Sequence, residues 1–292
     1  MSTIPKLLIS NDAEEFDLQD ISNKGKGWEA LAGATGLGLP SVSVQMDVGA
    51  GDGATFRGRR VQPRDIDLPL HLLQTSRWNL KDKLKRMSKI LDGQCRLKFE
   101  DTDGKFWYLD VHRVGGGDYI YGEDTYGTTE LNMVLTLRAP DPYWTYSEPT
   151  EHVVAEVGAG RGLLATGVSL TALQIGDSQA IGTMDFDNSG DAAAYPVWTV
   201  SGPVTSFTAT HPTSGETFTW TGSLLVDETL VIDTKVGTVK DGTGTNRYDG
   251  MASAPRLWAI PPGASSGVVT ATGVNATSAI TCSYRPRKWA VI

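Results

Sequence analysis

The stretch that decides the fold is LTLRAPDPYWTY, Leu135 to Tyr146. It completes TTELNMVLTLRA, in which Leu131, Met133, Leu135 and Leu137 recur at every second position and mark one face of a strand. Pro140 and Pro142 end that strand, because proline donates no ladder hydrogen bond and restricts the residue before it. Asp141 suits a turn former better than a general acid, and Tyr143 and Trp144 are placed to pack the exiting chain against the domain it leaves. The composition then changes. There are 18 basic and 22 acidic residues before Pro149, and 8 and 12 from there on. Pro140, Asp141, Pro142, Tyr143 and Trp144 therefore read as the joint between two domains of different character.

Working back from the joint, strands alternate with one helix. SVSVQMDV places Val42, Val44, Met46 and Val48 on one face, and DIDLPLHLL does the same with Ile66, Leu68, Leu70 and Leu72. Both are expected as half-buried strands. Pro69 points to an edge or a bulge. CRLKFEDTDGKFWYLDVH is expected as a hairpin turning at Asp103-Gly104, with Cys95, Leu97 and Phe99 opposite Trp107, Leu109 and Val111. SRWNLKDKLKRMSKILDG predicts the one helix, with Leu80, Leu84, Met87 and Leu91 as its apolar stripe, Ser76 as N-cap and Asp92-Gly93 as stop. Lys81, Lys85 and Lys89 lie on its other face. Residues 1–37, with Asp12, Glu14, Glu15, Asp17 and Asp20, are expected as an arm or loosely held edge strand.

Beyond the joint, YPVWTVSG, SFTATHPTSGETFTWTG, ETLVIDTKVGTVKDG and GVVTATG are short alternating runs separated by turn residues. That spacing predicts an antiparallel β-sandwich. The domain reading is 1–148 for the first domain, 149–182 for a connecting segment and first strands, and 183–292 for the body of the second.

The bulk numbers exclude several classes. At 292 residues and a net charge of −8, the chain lacks the dominant basic surface that phosphate binding needs. No apolar run reaches the length of a membrane span, so no membrane insertion is expected. The start, MSTIPKLLISNDAEEF, has no apolar core like that of a signal peptide. Synthesis in a reducing cytoplasm is expected, with Cys95 and Cys282 as two unrelated buried thiols. His71, His112, His152 and His211 show no metal-ligand spacing. DFDNSGD (185–191) starts like a calcium loop, but Pro196 stands where the bidentate glutamate belongs. GASSG (263–267) matches a nucleophile elbow without the helix that the elbow needs. No catalytic, cofactor or metal site is expected.

RAPDPYW, closing a strand-rich first domain, resembles the siphovirus distal tail protein family, a component of the phage tail tip. NSGDAAAYPVWTVSGP (188–203), TSGETFTWTGSLLVDETLVIDT, LWAIPPGASSGVV and SYRPRKW are similar to later blocks of that family, in the same order. Ala264-Ser265-Ser266 replaces the family's usual Asn after Pro-Gly. The resemblance implies a mainly β protein. Its first domain would be a split β-barrel with one α-helix, and its second a galectin- or carbohydrate-binding-module-like β-sandwich. It further implies a homo-oligomeric, six-membered ring at the virion tail tip. Such a ring lies between the tail tube protein and the baseplate hub or tail-associated lysin, near the receptor-binding proteins, and DNA crosses its lumen without specific binding.

A ring needs a head-to-tail interface that closes. The candidates are Arg57, Arg59, Arg60 and Arg64 in RGRRVQPR, and Lys81, Lys85 and Lys89 on the helix, with the acidic arm as counter-charge. The competing reading is a carbohydrate-binding or adhesin module that contacts host-surface glycan by stacking sugars on Trp198, Trp220 or Trp258. At strand positions such tryptophans more often belong to the core. A wall hydrolase is the third reading, and no catalytic constellation supports it.

Overall fold

The computed structural model describes residues 5–101, 104–119, 128–155, 179–275 and 277–291. The chain forms two compact units, one comprising Met1–Ser147 with Lys288–Ile292, the other Glu148–Arg287. It therefore leaves the first unit and returns to it. Asp103 and most of the 149–182 connection lie outside the described residues.

The first unit contains β1 (Lys6–Ser10), β2 (Glu15–Asp17), α1 (Asp20–Lys24), β3 (Gly27–Ala30), β4 (Val42–Val48), β5 (Ala54–Val61), β6 (Arg64–Leu73), α2 (Arg77–Ile90), β7 (Gln94–Glu100), β8 (Phe106–Tyr119), β9 (Glu130–Ala139) and β10 (Trp144–Tyr146). Its main sheet runs β2–β1–β7–β8–β9–β6–β3, antiparallel throughout, with β10 added on β8. The two ends of the sheet meet where Gln19 bridges Glu29 and the Ala30 amide donates to Leu18 at 2.7 Å. The result is a nearly closed barrel, a mainly β unit with one long helix.

Alternation builds its core. Ile66, Leu68, Leu70 and Leu72 of β6 stand opposite Leu137, Leu135, Met133 and Leu131 of β9, and all eight are buried. On the next pair, Cys95, Leu97 and Phe99 face Val111, Leu109 and Trp107. Pro69 lies neither at an edge nor at a bulge. Its carbonyl accepts from Leu31, and a residue's N–H and C=O point to the same side of a strand. The missing donor therefore faces the segment after β3, and the ladder to β9 keeps its bonds. In α2 the Asn79 amide donates to Ser76 Oγ at 3.3 Å, and Leu80, Met87 and Ile90 are buried.

The start of the chain is not an arm. β1 sits between β2 and β7, with Leu7 and Ile9 in the core. Three of the acids expected on an arm or loose edge strand have partners within the unit. Glu14 pairs with Arg86, Lys98 donates to Glu15 at 2.6 Å, and Lys24 donates to Asp20 at 2.7 Å. The physical reason is that three consecutive apolar residues, Leu7 to Ile9, supply enough buried surface to hold the strand.

The second unit contains β11 (Thr150–Ala155), β12 (Gln179–Asn188), β13 (Val197–Ser201), β14 (Val204–His211), β15 (Glu216–Leu224), β16 (Thr229–Asp233), β17 (Thr238–Asp241), β18 (Gly263–Thr272) and β19 (Ala279–Tyr284). Two antiparallel sheets, β11–β19–β13–β16–β17 and β12–β18–β14–β15, share one core. Trp198 from the first sheet meets Phe207 and Phe218 from the second at ring distances of 5.7 and 6.2 Å. This is the expected sandwich.

Each unit holds one buried cysteine. Burial, with Asp110 adding to it, pushes the Cys95 thiol up to about 11, and burial raises Cys282 further still. Both stay protonated thiols at pH 8, so a thiol reagent such as Ellman's reagent should label neither until its unit opens. In a urea titration read by labelling, Trp198→Ala should move Cys282 to much lower urea, by about 3–5 kcal/mol of stability, and Cys95 far less.

Candidate functional site

VSVQMDV and ATFRGRRV alternate in polarity, so β4 and β5 pair into a ribbon with two unlike faces. Residues directly opposite in an antiparallel pair share a face. Val44 lies opposite Arg59, Met46 opposite Phe56, and Val48 opposite Ala54, with Arg57 as the extra residue of a bulge. One face therefore carries Val42, Val44, Met46, Val48, Ala54, Phe56 and Val61, with Arg59 as the one charge among them. The other carries Ser43, Gln45, Asp47, Thr55 and Arg60, and Arg57 Nε donates to Asp47 Oδ2 at 2.6 Å.

Among the described residues the ribbon pairs with no third strand, and its apolar face is open to solvent. Val48 is 81% exposed, Phe56 59% and Met46 57%. The sequence pattern led us to expect this face half-buried; among the described residues no strand or helix covers it. An isolated two-stranded hairpin is at best marginal in water, and a contiguous exposed apolar face is the mark of an interaction surface.

The candidate cations separate into three groups. Arg57, Arg59 and Arg60 are on the ribbon. Lys81, Lys85 and Lys89 are exposed along one face of α2, which also presents Trp78 at 76% exposure. Among the described residues, no contact joins these two sets. Arg64 is different. It is 2% exposed and belongs to the neck of the ribbon, so it is not available as a surface contact.

At that neck Arg64 Nη1 donates to the carbonyls of Gly36, at 2.7 Å, and Gly38. Its Nε donates to Pro142 at 2.8 Å and its Nη2 to Trp289 at 2.5 Å. Trp144 Nε1 adds a bond to the carbonyl of Leu37 at 3.4 Å. The chain entering the ribbon thus offers three successive carbonyls to buried side chains beyond the ribbon's other end. Burial pushes the guanidinium down to about 10, so it stays charged at neutral pH. The joint residues converge here too. Trp144 is fully buried, the Tyr143 amide donates to Asp141 Oδ1 at 3.3 Å, and the Tyr143 ring meets Trp289 edge-on at 5.1 Å.

Trp198, Trp220 and Trp258 are core residues at 1% exposure or less, with no face free to stack on a sugar. Trp220 Nε1 donates to the Arg247 carbonyl and Trp258 Nε1 to that of Ala209. GASSG is the start of β18, paired residue for residue with the Met184–Asn188 end of β12. Neither motif forms a catalytic turn or an ion loop. A cleft of about 470 Å³ lies beside α2 and is lined by Leu84, Met87, Leu91, Met133 and Leu135 with Lys89 and Arg113.

The neck makes a sharp prediction about two nearby glycines. Gly36 has φ +81°, and a Cβ there would come within 2.0 Å of the Asp65 carbonyl oxygen, whereas a Cβ on Gly38 meets nothing within 4 Å. Gly36→Ala should lower the stability of the first unit by more than about 2 kcal/mol. Gly38→Ala should change it by less than about 0.5 kcal/mol. Urea unfolding monitored at Cys95 reads both.

No protein-family model matches the sequence, and no curated protein matches it. The fold does have solved counterparts. The Dit (gp 19.1) protein of phage SPP1, a paradigm of the hub adsorption apparatus in phages infecting Gram-positive bacteria, superposes with a TM-score of 0.64 at 10% identity, covering 98% of this chain and 99% of that one. A chain of the phage P2 baseplate in its activated conformation with Ca gives 0.56 at 14% identity, covering 99% and 100%. The Sr form gives 0.54 at 14% identity, covering 97% and 98%. Over nearly its whole length, this chain has the fold of the phage Dit and baseplate proteins.

Proposed function

We propose that the protein is a structural component of a phage tail tip, a distal tail protein whose copies close into a ring at the baseplate hub. The observation that carries this reading is the likeness of fold to hub and baseplate chains across both units, with almost nothing left over on either side. A scaffold of that kind works by presenting surfaces, and the first unit offers one of the right chemistry.

The ribbon face of Val42, Val44, Met46, Val48 and Phe56 is the contact for the neighbouring copy. A ribbon that buries its apolar side only on a partner gains stability from assembly, and its charged side keeps the free chain soluble. The contact is head-to-tail, since the ribbon meets a different surface on its neighbour, and such contacts give rings when the rotation closes. The basic face of α2, with Trp78, Lys81, Lys85 and Lys89, is the second candidate surface. Six copies, the tail tube on one side and the hub or tail-associated lysin on the other follow from the family resemblance. An acidic ring also suits DNA passage, because a repelling lumen does not trap the polyanion.

No observation favours the carbohydrate-binding alternative through Trp198, Trp220 or Trp258, all of which are consumed by the core.

Met46→Asp with Val48→Asp tests the proposal. Both side chains are exposed in the single chain, so its thermal stability should change little. Burying two carboxylates at the contact should abolish the oligomer in native mass spectrometry and sizing. Arg59→Glu with Arg60→Glu should weaken assembly without abolishing it. An oligomer that survives the two aspartates removes the ribbon from the interface.

A further inference from the structure

The segment that returns from the second unit lies on the neck of the ribbon. Besides accepting from Arg64, Trp289 presents its ring to the Arg59 guanidinium at 5.9 Å and to Tyr143. Lys288 Nζ sits 4.4 Å from the Trp107 ring centroid, and Val291 packs against the core of the first unit. Arg59 is itself a ribbon residue, opposite Val44 on the open face. Four chain segments therefore meet at one point. The ribbon's entering chain supplies the Gly36 and Gly38 carbonyls, and its exiting chain supplies Arg64. The joint supplies Pro142 and Tyr143, and the returning segment supplies Trp289.

Without the returning segment the neck loses an acceptor for a buried cation. Arg64 has no carboxylate among these bonds, so each carbonyl carries a large share of what offsets its desolvation. A guanidinium short of one acceptor draws water, and the bonds that tie Gly36 and Gly38 to the opposite leg loosen with it. Among the described residues no third strand holds the ribbon, so its pose depends on that neck.

We propose that Lys288–Val291 is an assembly determinant: by capping the Arg64 neck it holds the ribbon in the pose that a neighbouring copy accepts. Trp289 acts as a positioning residue, through Arg64 and Arg59, and need not touch the neighbour. Because these residues follow the second unit in the chain, the neck is completed only after that unit has been made. Chains cut short within the second unit are thereby kept out of the ring. The inference rests on the ribbon contact proposed above.

Trypsin supplies a readout that does not need assembly, since Arg57, Arg59 and Arg60 lie on the ribbon itself. The full-length chain is digested at a dilution where it is monomeric, cleavage at these three sites is followed by mass spectrometry, and Cys95 labelling reports whether the first unit stays closed. Trp289→Ala, and a chain ending at Arg287, should be cut at the ribbon about ten-fold faster than wild type, with Cys95 still protected and assembly weakened. Trp289→Phe, which keeps a ring against Arg59 and Tyr143, should behave as wild type. Unchanged ribbon cleavage in both variants overturns the inference, and so does a general loosening in which Cys95 is labelled as fast as the ribbon is cut. If wild type itself never assembles, the ring proposal fails while the cleavage comparison still decides the role of Trp289.

Discussion

The Arg64 guanidinium is the constraint on which the first unit's outer architecture hangs. A buried cation costs several kcal/mol unless its donors are used, and here the acceptors are backbone carbonyls drawn from positions 36, 38, 142 and 289. Carbonyls are fixed to the backbone, so satisfying the cation fixes the course of three separate chain segments. The barrel wall would form from alternation alone. The direction in which the ribbon leaves it, the place where the chain exits toward the second unit and the place where it returns are set by one side chain.

Much of this fold was legible because alternation is a local signal. Ile66 to Leu72, Cys95 to Phe99 and Leu131 to Leu137 declare their inward faces by period two, and those strands pair as their patterns require. Ser76 and the Leu80–Met87 spacing declare α2 in the same way. The tryptophans of the second unit followed the rule that large aromatics at strand positions form core. What was not legible depends on partners distant in sequence. Val42 to Val48 alternates as cleanly as Ile66 to Leu72, yet one face lies open and the other set is sealed, because period reports amphipathicity and not what covers the apolar side. Arg64 reads as one of four arginines in RGRRVQPR. Its place follows Pro63, at the first residue of β6, where the side chain turns under the ribbon and no longer along it. Nothing local distinguishes it from Arg60. Glu14 and Glu15 looked like part of an arm or loose edge strand because Arg86 and Lys98, their partners, lie more than seventy residues away.

The two units divide the work by composition. The first combines a nearly closed barrel with a charged helix face and an amphipathic ribbon whose apolar face no strand or helix covers among the described residues. The second is poor in charge, and its aromatic side chains are spent on joining two sheets. With a fold shared with hub and baseplate chains over nearly the whole length, the molecule reads as a building block. Under the proposed function, its work would be done by surfaces that meet copies of itself and neighbouring tail parts.

Electron microscopy of the purified full-length protein tests the central claim most directly. The account predicts closed rings of identical copies, with the Val42–Val61 ribbon of each copy lodged against the next and its apolar face out of solvent. Single chains at every concentration, or rings whose seams leave that ribbon free in solvent, would contradict it.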